Sequence, residues 1–268
     1  IRLETFPPSE APPGEGCDDP QPLTLGVETF VDLSLYQDSI NSLCLAGAPD
    51  ATFGFELDGK RDVALVGRSA DVGAVSIANL DCSTAYACQA GGGTMRALRY
   101  GLEAGSYRGV IESYFGNPVG LSLFERPALA TVHVPFGDDC DSTVTIPESG
   151  GRFTGNTSNA FPDFSAGCDV GGQDEGGASD QILKLALSES RRVIFDMQGS
   201  TYQTILSVRR GPNCPGVELP SSCATGLMPG GGRSYLDLDL DAGEYLVQID
   251  GYDGASGAWT LNVFTAPL

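Results

Sequence analysis

Apolar side chains recur along this chain in short runs, some alternating with polar residues and some wholly apolar. Alternation with a period of two is typical of a strand that buries one face, and a short apolar run between turn residues is typical of a buried strand. Apolar residues do not recur at helical spacing for more than about two turns. Strands at about ten-residue spacing predict an all-β fold of sandwich or jelly-roll type. The predicted strands are 51–57, 61–67, 192–197, 204–209, 236–240, 245–250 and 258–264.

The chain also matches itself, which is the sign of an internal duplication. Cys17 in GEGCDDP corresponds to Cys140 in GDDCDST, and APD at 48–50 corresponds to ASD at 178–180. The closing segments match best, LEAGSY against LDAGEY. Because cysteines recur in the same order in both halves, we predict two tandem copies of one domain.

The repeat sets the predicted domain boundaries. Residues 17–126 form the first sandwich domain and residues 138–268 the second, and a short apolar linker at 127–137 joins them. Residues 1–16 are rich in proline and lack periodicity, which predicts an extended tail or a linker from an upstream segment.

Glycine-rich segments mark the predicted loops. The second copy is the longer one, chiefly at 171–177 and 211–232. Glycine triplets at 91–93 and 230–232 precede strands. They predict flexible hairpin loops, because a phosphate-binding turn requires a helix N-terminus. Since a rigid sandwich carries recognition on its loops, we expect a partner near 171–177 and 211–232 or along an exposed strand edge.

The motif L-x-A-G-x-Y occurs in each copy. Gly105 and Gly243 stand where a turn requires a positive φ, and Tyr107 and Tyr245 then open a core strand. We predict that each tyrosine ring packs inward and that its hydroxyl bonds to the backbone, as in a tyrosine corner. The only tryptophan, Trp259, lies in the closing strand and is predicted to pack in the core.

The chain has 8 cysteines and a single histidine. None of the cysteines forms a tight C-x-x-C pair, so the pattern favours disulfides in an oxidising compartment over a zinc site. Each copy is expected to close itself, with its last two cysteines, close in sequence, clipping one hairpin. This reasoning predicts the pairs Cys17–Cys44, Cys82–Cys88, Cys140–Cys168 and Cys214–Cys223.

The charge balance is strongly acidic. Asp and Glu number 35 against 15 Lys and Arg, which gives a net charge of −20 at pH 7. This charge disfavours nucleic acid and an anionic membrane surface as partners, because both require clustered cations. No apolar run is long enough for insertion into a membrane. The chain begins at Ile1 without a signal peptide, so we expect a processed chain or a fragment of a secreted, cell-surface or periplasmic protein.

The repeat resembles the pre-peptidase C-terminal domain, a β-sandwich module of secreted bacterial proteins. The resemblance rests on the opening GDDC (GEGC in the first copy), the paired mid-domain cysteines and the ending LDAGEYLVQIDGYDGASGAWTLNV at 240–263. The first copy departs from that ending, with ESY at 112–114 where the second has DGY at 250–252. The resemblance covers 17–124 and 140–264. It implies a binding or assembly role, and some members bind calcium and attach to polymers such as collagen.

Carboxylates offer the only candidate ligand chemistry, and calcium is the cofactor they would suit, because it takes oxygen ligands from loops. The alternative is a surface kept soluble by self-repulsion. Asp237, Asp239 and Asp241 alternate with leucines and are more simply a solvated strand face. If calcium is bound, the melting temperature rises with calcium and falls with a chelator. The candidate ligands open the second domain or lie near its glycine-rich loop: Asp138, Asp139, Asp141, Asp174, Glu175 and Asp180.

The sequence contains no catalytic constellation that we can assign. A Ser-His-Asp triad would require His133, which lies between valines in the linker and is more simply a strand or linker residue. The predicted function is a non-catalytic extracellular interaction module, a structural or adhesive subunit. Its partner would be another extracellular protein or glycan, copies of itself or a larger surface complex. The alternatives are a polysaccharide-binding module appended to a secreted hydrolase or protease, and a hydrolase with an unrecognised site.

Overall fold

This computed structural model describes residues 11–40, 44–135, 140, 143–169, 177–226 and 233–268. The chain divides into two units, Ile1–Leu123 and Phe124–Leu268. Both are built from strands, and the described residues contain only two short 3-10 turns and no α-helix. None of these turns is long and apolar enough to cross a bilayer. The predicted fold class is confirmed: all-β, with two tandem β-sandwich domains and disulfides within each domain.

The first unit is built on a seven-stranded sheet in the order β1-β3-β6-β4-β7-β2, with β5 beside β4. Its strands are β1 Gln21–Pro22, β2 Glu28–Asp32, β3 Asp50–Leu57, β4 Arg61–Ala78, β5 Ala85–Leu102, β6 Gly105–Ser113 and β7 Pro118–Pro127. The strands β4 and β5 have 18 residues each and pair along their length. Their register shifts between Ser69 and Val72, an irregularity of the kind that bends a strand pair.

The prediction of a hairpin loop at 91–93 is wrong. Gly91 pairs with Gly73 and Gly92 with Val72, inside the continuous strand β5. Gly93 has a φ of +76°, which a residue with a side chain rarely adopts. The triplet therefore lets β5 pass the register shift without a break, because glycine tolerates the local change of backbone direction.

The core of the first unit lies under β3, β4 and β6. Phe53, Leu65, Ile77, Met95 and Ile111 are fully buried there, and the first two of them lie in strands that the sequence predicts. Part of the proline-rich segment also joins this unit. The backbone N–H of Thr52 in β3 donates to the carbonyl oxygen of Gly14 at 2.8 Å. Residues 11–16 are therefore bound to β3, while residues 1–10 of the predicted tail lie outside the described residues.

The second unit packs two five-stranded sheets, in the orders β15-β12-β17-β10-β8 and β14-β13-β16-β11-β9. The strands are β8 Val132–His133, β9 Val144–Ile146, β10 Gly151–Asn156, β11 Gln181–Leu187, β12 Arg191–Asp196, β13 Thr204–Arg210, β14 Val217–Thr225, β15 Tyr235–Leu240, β16 Gly243–Gly251 and β17 Ala258–Pro267. The predicted loop at 211–232 thus contains a strand, β14. The glycine triplet at 230–232 lies outside the described residues.

The core of the second unit is centred on aromatic side chains from both sheets. Phe153, Phe195, Tyr245 and Trp259 are each buried there. The indole Nε1 of Trp259 donates to Oε1 of Gln181 at 2.7 Å, so the polar atom of this ring is satisfied inside the core. The core position predicted for Trp259 is therefore what the structure shows.

All eight cysteines form disulfides within their own unit, but the predicted pairing is wrong. The reason is the path of the chain, which places the segment that contains Cys17 beside the turn after β4. There, the guanidinium Nε of Arg108 donates to the carbonyl oxygen of Cys17 at 3.0 Å. The disulfides indicate an oxidising compartment, extracellular or periplasmic. In each unit the first cysteine pairs with the third and the second with the fourth: Cys17–Cys82, Cys44–Cys88, Cys140–Cys214 and Cys168–Cys223.

We expect peptide mapping under non-reducing conditions to recover these four linked pairs. The informative peptides are those that contain Cys82 and Cys88. After cleavage between these two cysteines, the structure predicts that one peptide is linked to Cys17 and the other to Cys44. Recovery of one peptide with an internal Cys82–Cys88 bond would contradict the structure and restore the pairing first predicted. The reduced and alkylated protein is the control.

Candidate functional site

A tyrosine corner opens the strand β6 of the first unit and the strand β16 of the second. The hydroxyl of Tyr107 donates to the carbonyl oxygen of Glu103 at 2.8 Å, and the hydroxyl of Tyr245 donates to that of Asp241 at 2.7 Å. The glycines two positions earlier have φ of +150° and +151°, as the motif predicts. The tyrosines therefore act as fold determinants, and they also fix the backbone around the two hollows described below.

We expect Tyr107→Phe and Tyr245→Phe each to lower the free energy of unfolding, by about 1 kcal/mol per lost hydrogen bond. The loss is expected to be larger for Tyr245, because its hydroxyl also accepts from Nη1 of Arg210 at 2.8 Å. Urea unfolding followed by circular dichroism measures both changes. Tyr114→Phe is the matched control, since Tyr114 is exposed and its hydroxyl has no hydrogen-bond partner among the described residues. Equal stability of all three variants would contradict the prediction.

The first hollow lies beside the tyrosine corner of the first unit and has a volume of about 400 Å³. Two of its side chains are tyrosines. The ring centroids of Tyr86 and Tyr107 are 5.8 Å apart and the ring planes meet at 74°. Tyr107 also stacks on Phe55, with the ring centroids 5.7 Å apart. The lining comprises Asn79, Leu80, Asp81, Tyr86, Gly105, Ser106 and Tyr107.

One wall of this hollow is the turn between β4 and β5, which its own hydrogen bonds hold in place. Oδ1 of Asp81 accepts from the backbone N–H of Ser83 at 3.1 Å and from its hydroxyl at 2.7 Å. These bonds lower the pKa of Asp81, so its carboxylate is ionised at neutral pH. Asn79 accepts from the backbone N–H of Thr84 at 3.0 Å, and Cys82 ties the turn to Cys17.

The second hollow lies at the tyrosine corner of the second unit and has a volume of about 310 Å³. It also adjoins the segment after β13, Gly211 and Pro212. Its lining differs in chemistry from that of the first hollow. Lys184 and Glu244 supply charge, and among the described lining residues Tyr245 is the only aromatic one.

Each unit also buries a carboxyl group next to a second one across a strand pair. Asp50 is paired in register with Glu112, and both are buried. Oδ2 of Asp50 accepts from the backbone N–H groups of Ser39 and Ile40 at 2.9 and 2.8 Å. Burial raises the pKa of Asp50 to about 6, and Asp38 and Glu15 add to this effect. Asp50 therefore anchors the segment before β3 and is inaccessible to a large ligand.

In the second unit the buried carboxyl groups are Asp180 and Asp250, and Asp250 in β16 stands at the position that corresponds to Glu112. Its Oδ1 accepts from the backbone N–H of Gly251 at 2.7 Å. Burial raises the pKa of Asp250 to about 8, with smaller contributions from the carboxylates of Asp180 and Asp169. Sequence reasoning missed the buried pairs, although the repeated aspartates of APD and ASD, Asp50 and Asp180, were a usable signal.

One of the predicted calcium ligands, Asp180, lies among the described residues. Asp180 is buried, and its Oδ2 accepts from the backbone N–H of Phe164 at 2.8 Å. In the described part of the chain, no three His, Cys, Asp or Glu side chains are grouped so that they could hold a metal ion. Calcium binding therefore stays a prediction. The other candidate ligands lie outside the described residues: Asp138, Asp139, Asp141, Asp174 and Glu175.

Neither the alternating aspartates Asp237, Asp239 and Asp241 nor the histidine adds a site. Asp237 receives both Nε and Nη2 of Arg192, at 2.9 and 2.8 Å, so this carboxylate is engaged in a two-point ion pair. His133 is exposed on the two-residue strand β8, which pairs in parallel with β10 at Thr154. Among the described residues, no hydrogen bond joins His133 to a serine or an aspartate.

No protein-family model and no curated protein matches the chain. Several solved structures are similar to parts of the chain, and three of them are the following. The pre-peptidase C-terminal domain of a collagenase from Bacillus anthracis is 9% identical, with 45% of this chain and 93% of that chain covered, at a TM-score of 0.29. PliG from Aeromonas hydrophila, a periplasmic inhibitor of g-type lysozyme, is 15% identical, with 51% and 100% covered, at 0.30. The CUB1-EGF-CUB2 segment of human MASP-1/3 is 11% identical, with 89% and 99% covered, at 0.26. TM-scores this low do not indicate a function.

Proposed function

We propose that the chain is a non-catalytic binding module of an exported protein, and that it holds an extracellular macromolecule at the hollows beside its tyrosine corners. The observation that carries the proposal is the common placement of the two hollows. In each unit the hollow is lined by the strand that opens with the corner tyrosine and by the segment that follows β4 or β13, and the second hollow is also lined by β9 and β11. Concave, solvent-open sites on a rigid scaffold are where ligands bind.

The proposal includes the duplication that the sequence predicts, and strand pairing supports it. The first unit pairs β1 with β3 in parallel, then β3 with β6, β6 with β4 and β4 with β5, all antiparallel. The second unit pairs β9 with β11 in parallel, then β11 with β16, β16 with β13 and β13 with β14 antiparallel. The disulfides follow the same first-to-third and second-to-fourth order. Two copies of one module would multiply contact surface without creating an active site.

The placement of the acidic groups supports binding over catalysis. Two carboxyl groups with raised pKa values, Asp50 and Asp250, are buried inside their units and bonded to backbone N–H groups. A general acid has to reach the substrate atom that it protonates, so a buried and structurally engaged carboxyl group is poorly placed for work on a polymer.

The test compares the purified chain with variants in which one hollow is filled. Ser106→Trp is designed to fill the first hollow and Thr145→Trp the second, because Ser106 lines the first hollow and Thr145 lines the second. The proposal expects the wild-type chain to retain an extracellular polymer or protein fraction from the producing cells, with weaker retention by at least one variant. Thr29→Trp, on the edge strand β2, is the control for an added surface indole. Turnover of a substrate, lost on substitution of His133 or of one carboxylate, would overturn the proposal.

A further inference from the structure

We propose that the hollow of the first unit binds one sugar residue of a neutral glycan. The inference rests on the binding function proposed above and names the ligand class for one of its two sites. It follows from three properties of the lining: exposed aromatic and apolar groups, planar polar groups at one wall, and a backbone that is already fixed.

Two apolar residues of the lining, Leu80 and Tyr86, lie outside the core. Leu80 is 51% exposed and Tyr86 is 37% exposed, although both lie in a concave part of the surface. Exposed large apolar groups in a hollow mark a place where a ligand is covered. The electron-rich face of a tyrosine attracts the polarised C–H groups on one face of a pyranose ring, so the exposed ring of Tyr86 can hold a sugar.

The polar part of the lining provides the hydrogen bonds that hydroxyl groups require. The carboxylate of Asp81 is exposed, and although Ser83 and Asn79 engage it, it retains acceptor sites for a ligand. The side-chain amide of Asn79 donates to the hydroxyl of Ser83 at 3.1 Å and also bonds to the Asp81 carboxylate, so it helps to fix the position of this acceptor. An ionised carboxylate held in this way can accept from two neighbouring hydroxyl groups of a sugar.

The wall that carries these groups is preorganised. The turn is closed by the backbone N–H of Asn79, which donates to the carbonyl oxygen of Thr84 at 3.0 Å, and by the N–H of Cys82, which donates to that of Asn79 at 3.1 Å. The disulfide from Cys82 to Cys17 adds a covalent tether. A ligand therefore does not have to order this wall when it binds, which lowers the cost of association.

The negative charge of the lining and of the whole chain favours a neutral glycan over an acidic one. The described lining residues include a carboxylate, that of Asp81, and no lysine or arginine. The chain as a whole carries a net charge of −20 at pH 7. A uronic acid or a sulfated sugar would be repelled by this field and would find no cation to pair with, whereas a neutral hexose or pentose would not.

The experiment is isothermal titration of the full chain with neutral oligosaccharides: cellohexaose, xylohexaose, mannohexaose and chitohexaose, with hexagalacturonate as the acidic comparison. At least one neutral oligosaccharide is expected to bind, and hexagalacturonate is not. Tyr86→Ala and Asp81→Asn are each expected to weaken the binding about tenfold, the equivalent of one stacking or hydrogen-bonding contact. Melting curves followed by circular dichroism confirm that each variant is folded.

Tyr114→Ala is the matched control. Tyr114 is 53% exposed and follows the last residue of β6, whereas Tyr107 lies near the first residue of that strand. The two tyrosines are therefore at opposite ends of β6. Unchanged affinity of Tyr114→Ala supports the assignment. Loss of affinity in Tyr114→Ala with none in Tyr86→Ala would place the sugar elsewhere and overturn it. Failure of every neutral oligosaccharide to bind, or tighter binding of hexagalacturonate, would overturn the ligand class. Neither result would affect the proposed binding function, whose own test is retention of an extracellular fraction without turnover.

Discussion

Truncation of Trp259 to alanine is expected to lower the free energy of unfolding of the second unit by about 4 kcal/mol, the usual cost of emptying a large aromatic site. Trp259 is 1% exposed, and its ring lies against Gly155, the residue opposite it in β10. The variant also leaves Oε1 of Gln181 in the core without its donor. Urea unfolding followed by far-ultraviolet circular dichroism measures the change, because Trp259 is the only tryptophan and its fluorescence is lost with it.

Two further variants separate the contributions. Trp259→Phe keeps much of the ring but removes the N–H donor to Gln181, so it is expected to cost about 1–3 kcal/mol. Gly155→Ala is expected to destabilise by a similar amount, because the added Cβ would overlap the indole ring. Gly59→Ala is the control, since no atom lies within 4 Å of the Cβ it would add. A stable Trp259→Ala variant would show that this ring is not the centre of the core.

The second large effect concerns Asp250 and pH. Its folded-state pKa of about 8 lies above the ordinary value of 3.8. Between these values the native chain holds a proton that the unfolded chain has released. The free energy of unfolding contributed by this group therefore falls as the pH rises through that window. Relative to the wild type, Asp250→Asn is expected to gain on the order of 3 kcal/mol between pH 4 and pH 9, because the amide stays neutral throughout.

Fluorescence of Trp259 during urea unfolding at a series of pH values reports on the second unit, since this residue lies in its core. Asp50→Asn is the matched variant in the first unit. Its pKa of about 6 predicts a smaller gain, complete at a lower pH and visible by circular dichroism. If Asp250→Asn keeps a constant difference from the wild type at every pH, the prediction is wrong and Asp250 is ionised in the native state.

Much of the fold could be predicted because each strand has its own local pattern of apolar and polar residues. The strand expected at 51–57 is Asp50–Leu57, and that expected at 258–264 begins at Ala258 and runs on to Pro267. The tyrosine corners were also predictable, because the glycine and the tyrosine that form each one lie only two positions apart in sequence. In these elements the interaction that selects the structure acts within a few residues.

The disulfide pairing and the first hollow could not be predicted in the same way. Cys82 and Cys88 are close in sequence, but Cys82 lies in the turn after β4 while Cys88 is paired with Ser76 inside the sheet. The hollow likewise draws its lining from three separate segments of the chain. Such sites depend on which strands are neighbours, and strand order is a property of the whole sheet. Gly155 carries no sequence signal at all, since only the indole packed on it excludes a side chain.

The interleaved order of the disulfides determines what a protease can release. In the first unit the bonds from Cys17 to Cys82 and from Cys44 to Cys88 overlap along the chain. Any single cut between Cys17 and Cys88 is therefore spanned by at least one bond, whereas the pairing first predicted would have left 45–81 uncovered. The bonds from Cys140 to Cys214 and from Cys168 to Cys223 overlap in the same way. Outside the cell, where proteases are abundant and a cut chain is not resynthesised in place, a nicked unit would remain a single covalent molecule.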